Sequence, residues 1–186
     1  MKMIAGLIVL AVIVVLALIV IGMYNRLVRS KKLVDNAWSQ IDVQLKRRCD
    51  LIPNLIETVK GYAAHEASVF EKVTLARSNA LAATDTSGKI AAETALTGAL
   101  HGLMVQMEAY PQLKANENFL QLQEELTSTE NKISFARQHY NDSATNYNTA
   151  IAVFPSNIIA GMFHFTDAEL WQITDPAERE VPKVKF

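Results

Sequence analysis

One cysteine, five prolines and seven glycines are spread over 186 residues. A single thiol excludes an internal disulfide framework. So few helix breakers leave little room for turns. No alternation of apolar and polar residues marks a strand, no internal repeat recurs, and no low-complexity tract occurs. The net charge is −1 at pH 7, which argues against nucleic acid as the main ligand. Catalytic motifs are missing too. There is no Gly-rich phosphate loop. "HEASV" begins as a zinc-protease helix does, but Val69 holds the place of the second histidine. None of His65, His101, His139 and His164 has the Glu three residues earlier that a di-iron bundle needs. Cys49 stands next to Arg48, a setting that lowers a thiol pKa, although a small helical side chain is the plainer use. Glu124, Glu125 and Glu130 read as a solvated helix face. Nothing supplies a nucleophile with its base. The expectation is a protein that is not an enzyme and needs no cofactor and no metal.

What is present is concentrated at the start. From Met3 to Asn25 runs a 23-residue stretch with no charge, "MIAGLIVLAVIVVLALIVIGMYN". A helix rises about 1.5 Å per residue, and about 20 apolar residues cross a bilayer core. The stretch is long enough to span, and it is apolar all round, so a protein core does not explain it. A cleaved signal peptide is the rival. Its apolar core would be shorter and its basic start stronger than the lone Lys2. Arg26, Arg29, Lys31 and Lys32 follow the stretch. Their excess over the N-terminal side predicts a single-pass membrane protein with the N-terminus outside and the helical domain cytoplasmic. The segment from Arg26 to Lys60 carries a balance of +4 and that from Gly61 to Phe186 one of −6. Basic residues there set topology and face anionic lipid.

The remainder reads as helix. Val34, Trp38, Ile41, Leu45, Ile52, Leu55, Val59, Tyr62, Val69, Val73 and Ala76 recur at alternating spacings of three and four, missing only at Arg48 and Glu66. This is the stripe of a long helix in a bundle or coiled coil. It keeps phase across Pro53. That favours one kinked helix from the membrane to about Ala82 over a hairpin at the proline. "ATDTSGK" is the first clear break. A second helix follows with Ile90, Leu96, Leu100, Leu103 and Met107 inward. Pro111 then stops it, Asn116 caps the next, and a third helix runs to about Val153. "IIAGMFHF" reads as a short closing helix, with a membrane-touching segment as the lesser alternative. The expected fold is all-α: a transmembrane anchor (1–25), an elongated up-and-down helical bundle (26–165) and an extended tail (166–186) with Pro176 and Pro182.

Two polar clusters interrupt the apolar pattern. "RRCDLIPN" brings Arg47, Arg48, Asp50 and Asn54 within two turns. "ARQHYNDSATNYN" interleaves Tyr140, Asn141, Tyr147 and Asn148 with core positions, and the tyrosines, seven apart, share a face. One reading is a polar core layer that sets register and satisfies the carbonyl freed by Pro53. The other is a protein-binding surface rich in Arg, Tyr and Asn. The first helix, about 65 Å long, also exceeds what the second, about 27 Å, can cover. Its membrane-proximal part, around Val34, Trp38 and Ile41, is expected to lack an intrachain partner and to mediate self-association.

The strings "AWSQIDVQLKRRCDLIPNLIETVKGYAAHE", "EAYPQLKANENFLQLQEELTSTENKISFARQHYNDSATNYN" and "FPSNIIA" resemble the bacterial LemA family. By matching position, its marker residues are Trp38, Arg48, Asp50, Pro53, Asn54, Tyr110, Pro111, Tyr140, Asn141, Tyr147, Asn148, Phe154 and Pro155. The tail "HFTDAELWQITDPAERE" departs from the pattern. The resemblance implies one N-terminal membrane helix, a helical bundle and no established catalytic activity. It also implies links to magnetosome membranes and to a membrane zinc metalloprotease. Two roles follow: a non-enzymatic, self-assembling scaffold that forms a homo-oligomer on the lipid bilayer, or an adaptor or regulator of another membrane protein such as a quality-control metalloprotease.

Overall fold

The computed structural model describes residues 2–63 and 65–172. All regular structure among them is helical: α1 (Lys2–Lys60), α2 (Ala67–Ala82), α3 (Thr86–Met107), α4 (Pro111–Lys114), α5 (Glu117–Ala152) and α6 (Ser156–Met162). The all-α expectation therefore holds, with a long apolar N-terminal helix and a helical bundle. The described residues pack as two compact units, one within 36–139 and one of 2–35 with 140–172. The expected extended tail falls partly on residues 173–186, which lie outside the described residues.

In the unit 36–139, four helical segments run alternately up and down. The end of α1 and the start of α5 meet where Asn116 Nδ2 donates to Tyr62 Oη, and Tyr110 Oη donates to Glu66 Oε1 at that same end. At the opposite end Lys89, opening α3, donates to Asp42 of α1 at 2.7 Å. α2 folds back along α1 and packs on α3. Ile52, Leu55, Val59, Val73, Leu96, Leu103 and Leu113 are fully buried between them. Burying each such side chain contributes about 1.5–3 kcal/mol. Two helix starts use side-chain caps. Asp85 accepts from the Gly88 amide at 2.8 Å, and Asn116 from the Phe119 amide at 3.0 Å. A Cβ on Gly88 would sit 2.8 Å from the Asp85 carboxylate, so a larger residue there would push the capping side chain aside.

α1 does pass through Pro53 without ending. It does not run on to Ala82, as the unbroken stripe suggested. The chain turns at Gly61–Tyr62, where the Tyr62 and Ala63 amides both bond to the Val59 carbonyl. α2 then returns with its stripe facing that of α1. Two facing helices need the same phase as one continuous helix, so periodicity alone does not separate them. Glu66, a gap in the stripe, lies in this reversal and accepts from Tyr110.

A proline has no amide to bond the carbonyl four residues back, here Cys49 O. That carbonyl accepts from Arg77 Nε of α2 at 2.7 Å. The sequence pattern assigned this task to the polar clusters; the donor is instead an arginine on the returning helix. An unsatisfied buried carbonyl costs about 1–3 kcal/mol. Arg77→Met should therefore destabilise the wild-type chain, and much less so in a Pro53→Ala background, where residue 53 regains its own amide. Denaturant melts of the four proteins in detergent, followed by circular dichroism, check this. Equal losses in both backgrounds would contradict it.

The unit built from residues 1–35 and 140–172 has a smaller core. Leu27, 1 % exposed, packs with Ile159 and Ala160 of α6, flanked by Met23, Tyr24, Ala150, Ile151 and Phe165. Residues 3–21 of α1 are exposed along their whole length. This part of α1 is long and apolar enough to cross a membrane, with no part of its apolar window covered by protein.

Candidate functional site

The two polar clusters meet different fates. In the first, only Arg48 turns inward. It is 2 % exposed and joins three helices. Its guanidinium pairs with Glu93 of α3, with Glu130 of α5 at 2.6 Å, and with the Thr97 hydroxyl of α3 at 3.0 Å. Arg48 Nε meets no acceptor among the described residues. One cation thus faces two carboxylates, one of them fully buried. Burial pushes the Glu93 carboxyl above its usual range, and the Arg48 charge only partly offsets this. Glu130, read from sequence as part of a solvated face, is half-exposed and reaches from that face to the buried Arg48.

The rest of that cluster faces water. Arg47 lies 3.8 Å from Glu125, both half-exposed. Asp50 pairs with Lys46 along the same helix. Asn54 is exposed and its carbonyl accepts from the Thr58 hydroxyl. Surface pairs of this kind contribute little. Cys49, for which a small helical side chain was the plainer reading, is buried. Burial raises its thiol pKa, and the Glu93 charge adds to the effect, so it is a packing residue rather than a reactive one. Val34 and Ile41 are buried by the chain itself, and Trp38 is half-buried with the Lys89 ammonium 5.8 Å from its ring. The expected gap in intrachain cover at these three positions does not exist. At Trp38 and the neighbouring Asp42 part of that cover comes from the start of α3, through Lys89.

The second cluster acts as one device. Asn141 and Asn148 each grip the main chain of one residue from both sides. Asn141 accepts from the Trp171 amide at 2.8 Å and donates to the Trp171 carbonyl at 2.9 Å. Asn148 does the same to Ala168, at 2.8 and 2.9 Å. Tyr140 donates to the Glu169 carbonyl at 2.5 Å and Tyr147 to that of Thr166 at 3.0 Å. Seven residues of α-helix advance about 10.5 Å, and three residues of extended chain about 10 Å. Two Tyr-Asn pairs seven apart on α5 therefore match residues three apart on an extended segment. The clamp reads peptide backbone, not side chains. Both tyrosines are buried, and burial raises each phenol's pKa, helped by Glu169 for Tyr140 and by Asp167 and then Asp35 for Tyr147.

A third feature carried no sequence signal. On the outer side of α5, Phe135 is 73 % exposed. It lines a groove of about 620 Å³ with Leu120, Glu124 and Lys132. It also lines a second groove of about 450 Å³ with Val43 and Ala136.

These features define a class: an all-α chain with one membrane-length apolar helix, a helical bundle tied by a buried ion network, and a clamped C-terminal segment. The family model of the LemA family matches residues 37–186, and the chain belongs to that family. It is 27 % identical to protein LemA of Metamycoplasma hominis over 156 residues, covering 83 % of this chain and 71 % of the relative. It is 26 % identical to magnetosome protein MamQ 2 of Paramagnetospirillum magneticum, covering 80 % of this chain and 64 % of the relative. Magnetosome protein MamQ of Magnetospirillum gryphiswaldense is 24 % identical, with 78 % and 63 % covered. The chain thus spans a little under two thirds of the MamQ proteins' length. The membrane-length helix and these relatives agree on a membrane location.

Two outcomes are expected from these sites. Arg48→Met should cost about 3–5 kcal/mol at neutral pH, because a buried carboxylate loses its cation. A raised folded pKa means that stability is full below the unfolded value and is lost as pH rises through the folded value. Losing Arg48 raises the Glu93 value further, so the deficit should shrink as pH falls towards 4.5. Adding Glu93→Gln should remove most of it. Thermal melts of the solubilised chain at several pH values check the sign; a deficit that grows in acid would contradict it.

Asn141→Ala should free residues 168–171. In a Trp38→Phe background, Trp171 emission should shift to the red, and the Ala168 and Trp171 amides should lose protection in hydrogen exchange. Since both phenol pKa values are raised, the clamp is intact below about pH 10 and opens as pH rises through the folded values. Unchanged Trp171 emission in the variant would show that Asn141 does not hold the segment.

Proposed function

We propose that this chain is a non-enzymatic, single-pass protein of the bacterial cell membrane whose helical domain assembles with copies of itself as a scaffold. The observation that carries the reading is Phe135. A large aromatic side chain 73 % exposed at the junction of two grooves is a liability unless something covers it. Leu120 and Val43, also exposed, extend the apolar surface. Glu124 and Lys132 border it with charges of opposite sign, which suits a surface that meets another copy of itself. Confinement to one membrane supports self-association, since anchored copies meet at high effective concentration.

The surface differs from the one the sequence pattern favours, because Val34 and Ile41 already have cover. The cation excess from Arg26 to Lys32 supports a cytoplasmic domain with the N-terminus outside. The lone, buried thiol fits that reducing compartment. Relatives named for the magnetosome fit a chain that works at a membrane. Binding to another membrane protein, such as a quality-control protease, is the competing role for the same apolar face.

Phe135→Glu tests the reading. The side chain is exposed, so folding should be unaffected. The wild-type chain in lipid nanodiscs should have the mass of a defined oligomer, and the variant that of a monomer with an unchanged melt. A monomeric wild-type chain would overturn self-assembly and leave the adaptor role; an oligomer that survives the substitution would move the interface elsewhere.

A further inference from the structure

The unit that holds the end of the apolar run also carries an apolar surface with no protein on it. From Val153 to Phe165 the chain has no Asp, Glu, Lys or Arg. α6 lies in this stretch. Its inner residues, Ile159 and Ala160, pack on Leu27. Its outer side and flanks expose Phe154 (79 %), Ile158 (53 %), Met162 (65 %) and Phe163 (49 %). The internal core explains why α6 is apolar on one side. It does not explain the other.

Position supplies the explanation. The Phe163 ring lies 4.7 Å from the Tyr24 ring, and the Phe165 ring 5.8 Å from it. Tyr24 is the penultimate residue of the uncharged run, and Arg26 follows two residues later. When α1 crosses a bilayer, Tyr24 sits at the boundary between acyl chains and headgroups, where aromatic residues concentrate. Phe163 and Phe165 touch it and share its depth. Met23, one residue deeper in the run, also packs against the cluster. The exposed side chains of α6 therefore belong to a segment attached by direct contacts to the membrane-crossing helix at the level where it leaves the lipid.

We propose that α6 is seated in the membrane interface, with Phe154, Ile158, Met162 and Phe163 inserted among the lipids beside α1. Aromatic side chains such as Phe154 and Phe163, beside Tyr24 where the span leaves the lipid, suit that boundary. A second copy of the chain would cover a comparable face equally well in chemistry. Continuity with the membrane-crossing helix is what selects lipid. The seat gives the chain a second point of contact with the bilayer, next to the core formed by Leu27, Ile159 and Ala160. The clamped segment 166–171 begins just beyond it.

This proposal rests on the reading of 3–25 as a membrane span, and the test keeps the two apart. Single cysteines replace Phe154, Ile158 or Met162 in a full-length Cys49→Ala chain. Each carries a nitroxide spin label in vesicles of phosphatidylethanolamine and phosphatidylglycerol. Collisions with oxygen, which partitions into lipid, are compared with collisions with a water-soluble nickel chelate. Val14→Cys reports the span itself, and Leu75→Cys an exposed position in the other unit. The oxygen-to-nickel ratio at the three α6 positions should be several-fold above that at position 75 and approach that at position 14. Ratios equal to that at position 75 with a lipid-like position 14 would overturn the seat alone. Low access to both reagents at α6 would mean that protein covers it and would also overturn the seat. A water-like position 14 would overturn the span and the seat together. Three label positions guard against one that disturbs packing.

Discussion

At Leu27 one helix changes solvent. Up to residue 22 α1 is exposed on every side and its surface is apolar all round. Within a turn or two of the last apolar residue it is packed against Ile159 and Ala160. Nothing in the sequence between Asn25 and Val34 resembles a linker. It has no glycine or proline, and the helix passes through unbroken. A bilayer would satisfy the first stretch, and the chain's own core satisfies the second. The junction therefore has to be well packed on the protein side, because a frayed helix there would expose backbone groups next to lipid. α6 and the end of α5 supply that packing.

Polar groups inside the two units do a different job from the apolar ones. Hydrophobic contacts are nondirectional and tolerate a helix sliding by a turn. The Arg48 network is directional. It joins α1, α3 and α5 at one height, and a one-turn slip of any of them leaves a buried charge without its partner. The Tyr-Asn clamp likewise fixes where residues 166–171 lie along α5, through main-chain bonds that no side chain of the segment has to supply. Arg77 serves the same end on a smaller scale by capping the carbonyl that Pro53 leaves open.

Much of this was legible in the amino-acid order. The apolar run, the break at "ATDTSGK" and the cap at Asn116 were readable, while the phase of the stripe favoured passage of α1 through Pro53 without excluding a hairpin. The inward face of Tyr140 and Tyr147 was readable too. The reversal at Gly61 was not, because helices packed face to face repeat the phase of one continuous helix. The ion network left a trace. Arg48 interrupts the α1 stripe, Glu93 interrupts that of α3 between Ile90 and Leu96, and Thr129–Glu130 interrupts that of α5 between Leu126 and Ile133. Gaps of opposite charge on three apolar stripes point to partners, but single stripes do not show which helices are adjacent. The partners of the Tyr-Asn pairs were out of reach for a related reason. A side chain that reads backbone leaves no complementary pattern in the segment it holds. Phe135 gave no warning, since one exposed aromatic on a polar face has no periodicity.

Hydrogen exchange of the full chain in lipid nanodiscs tests most directly whether the end of the membrane helix is core. The account predicts that amides from Arg26 to Val34 exchange as slowly as those around Ile52 and Leu55, because Leu27 and Val34 are buried in a continuous helix. Exchange in that segment at the rate of an unstructured linker would contradict it. The anchor would then be a flexible tether, and the packing of α6 on α1 would not exist in the membrane.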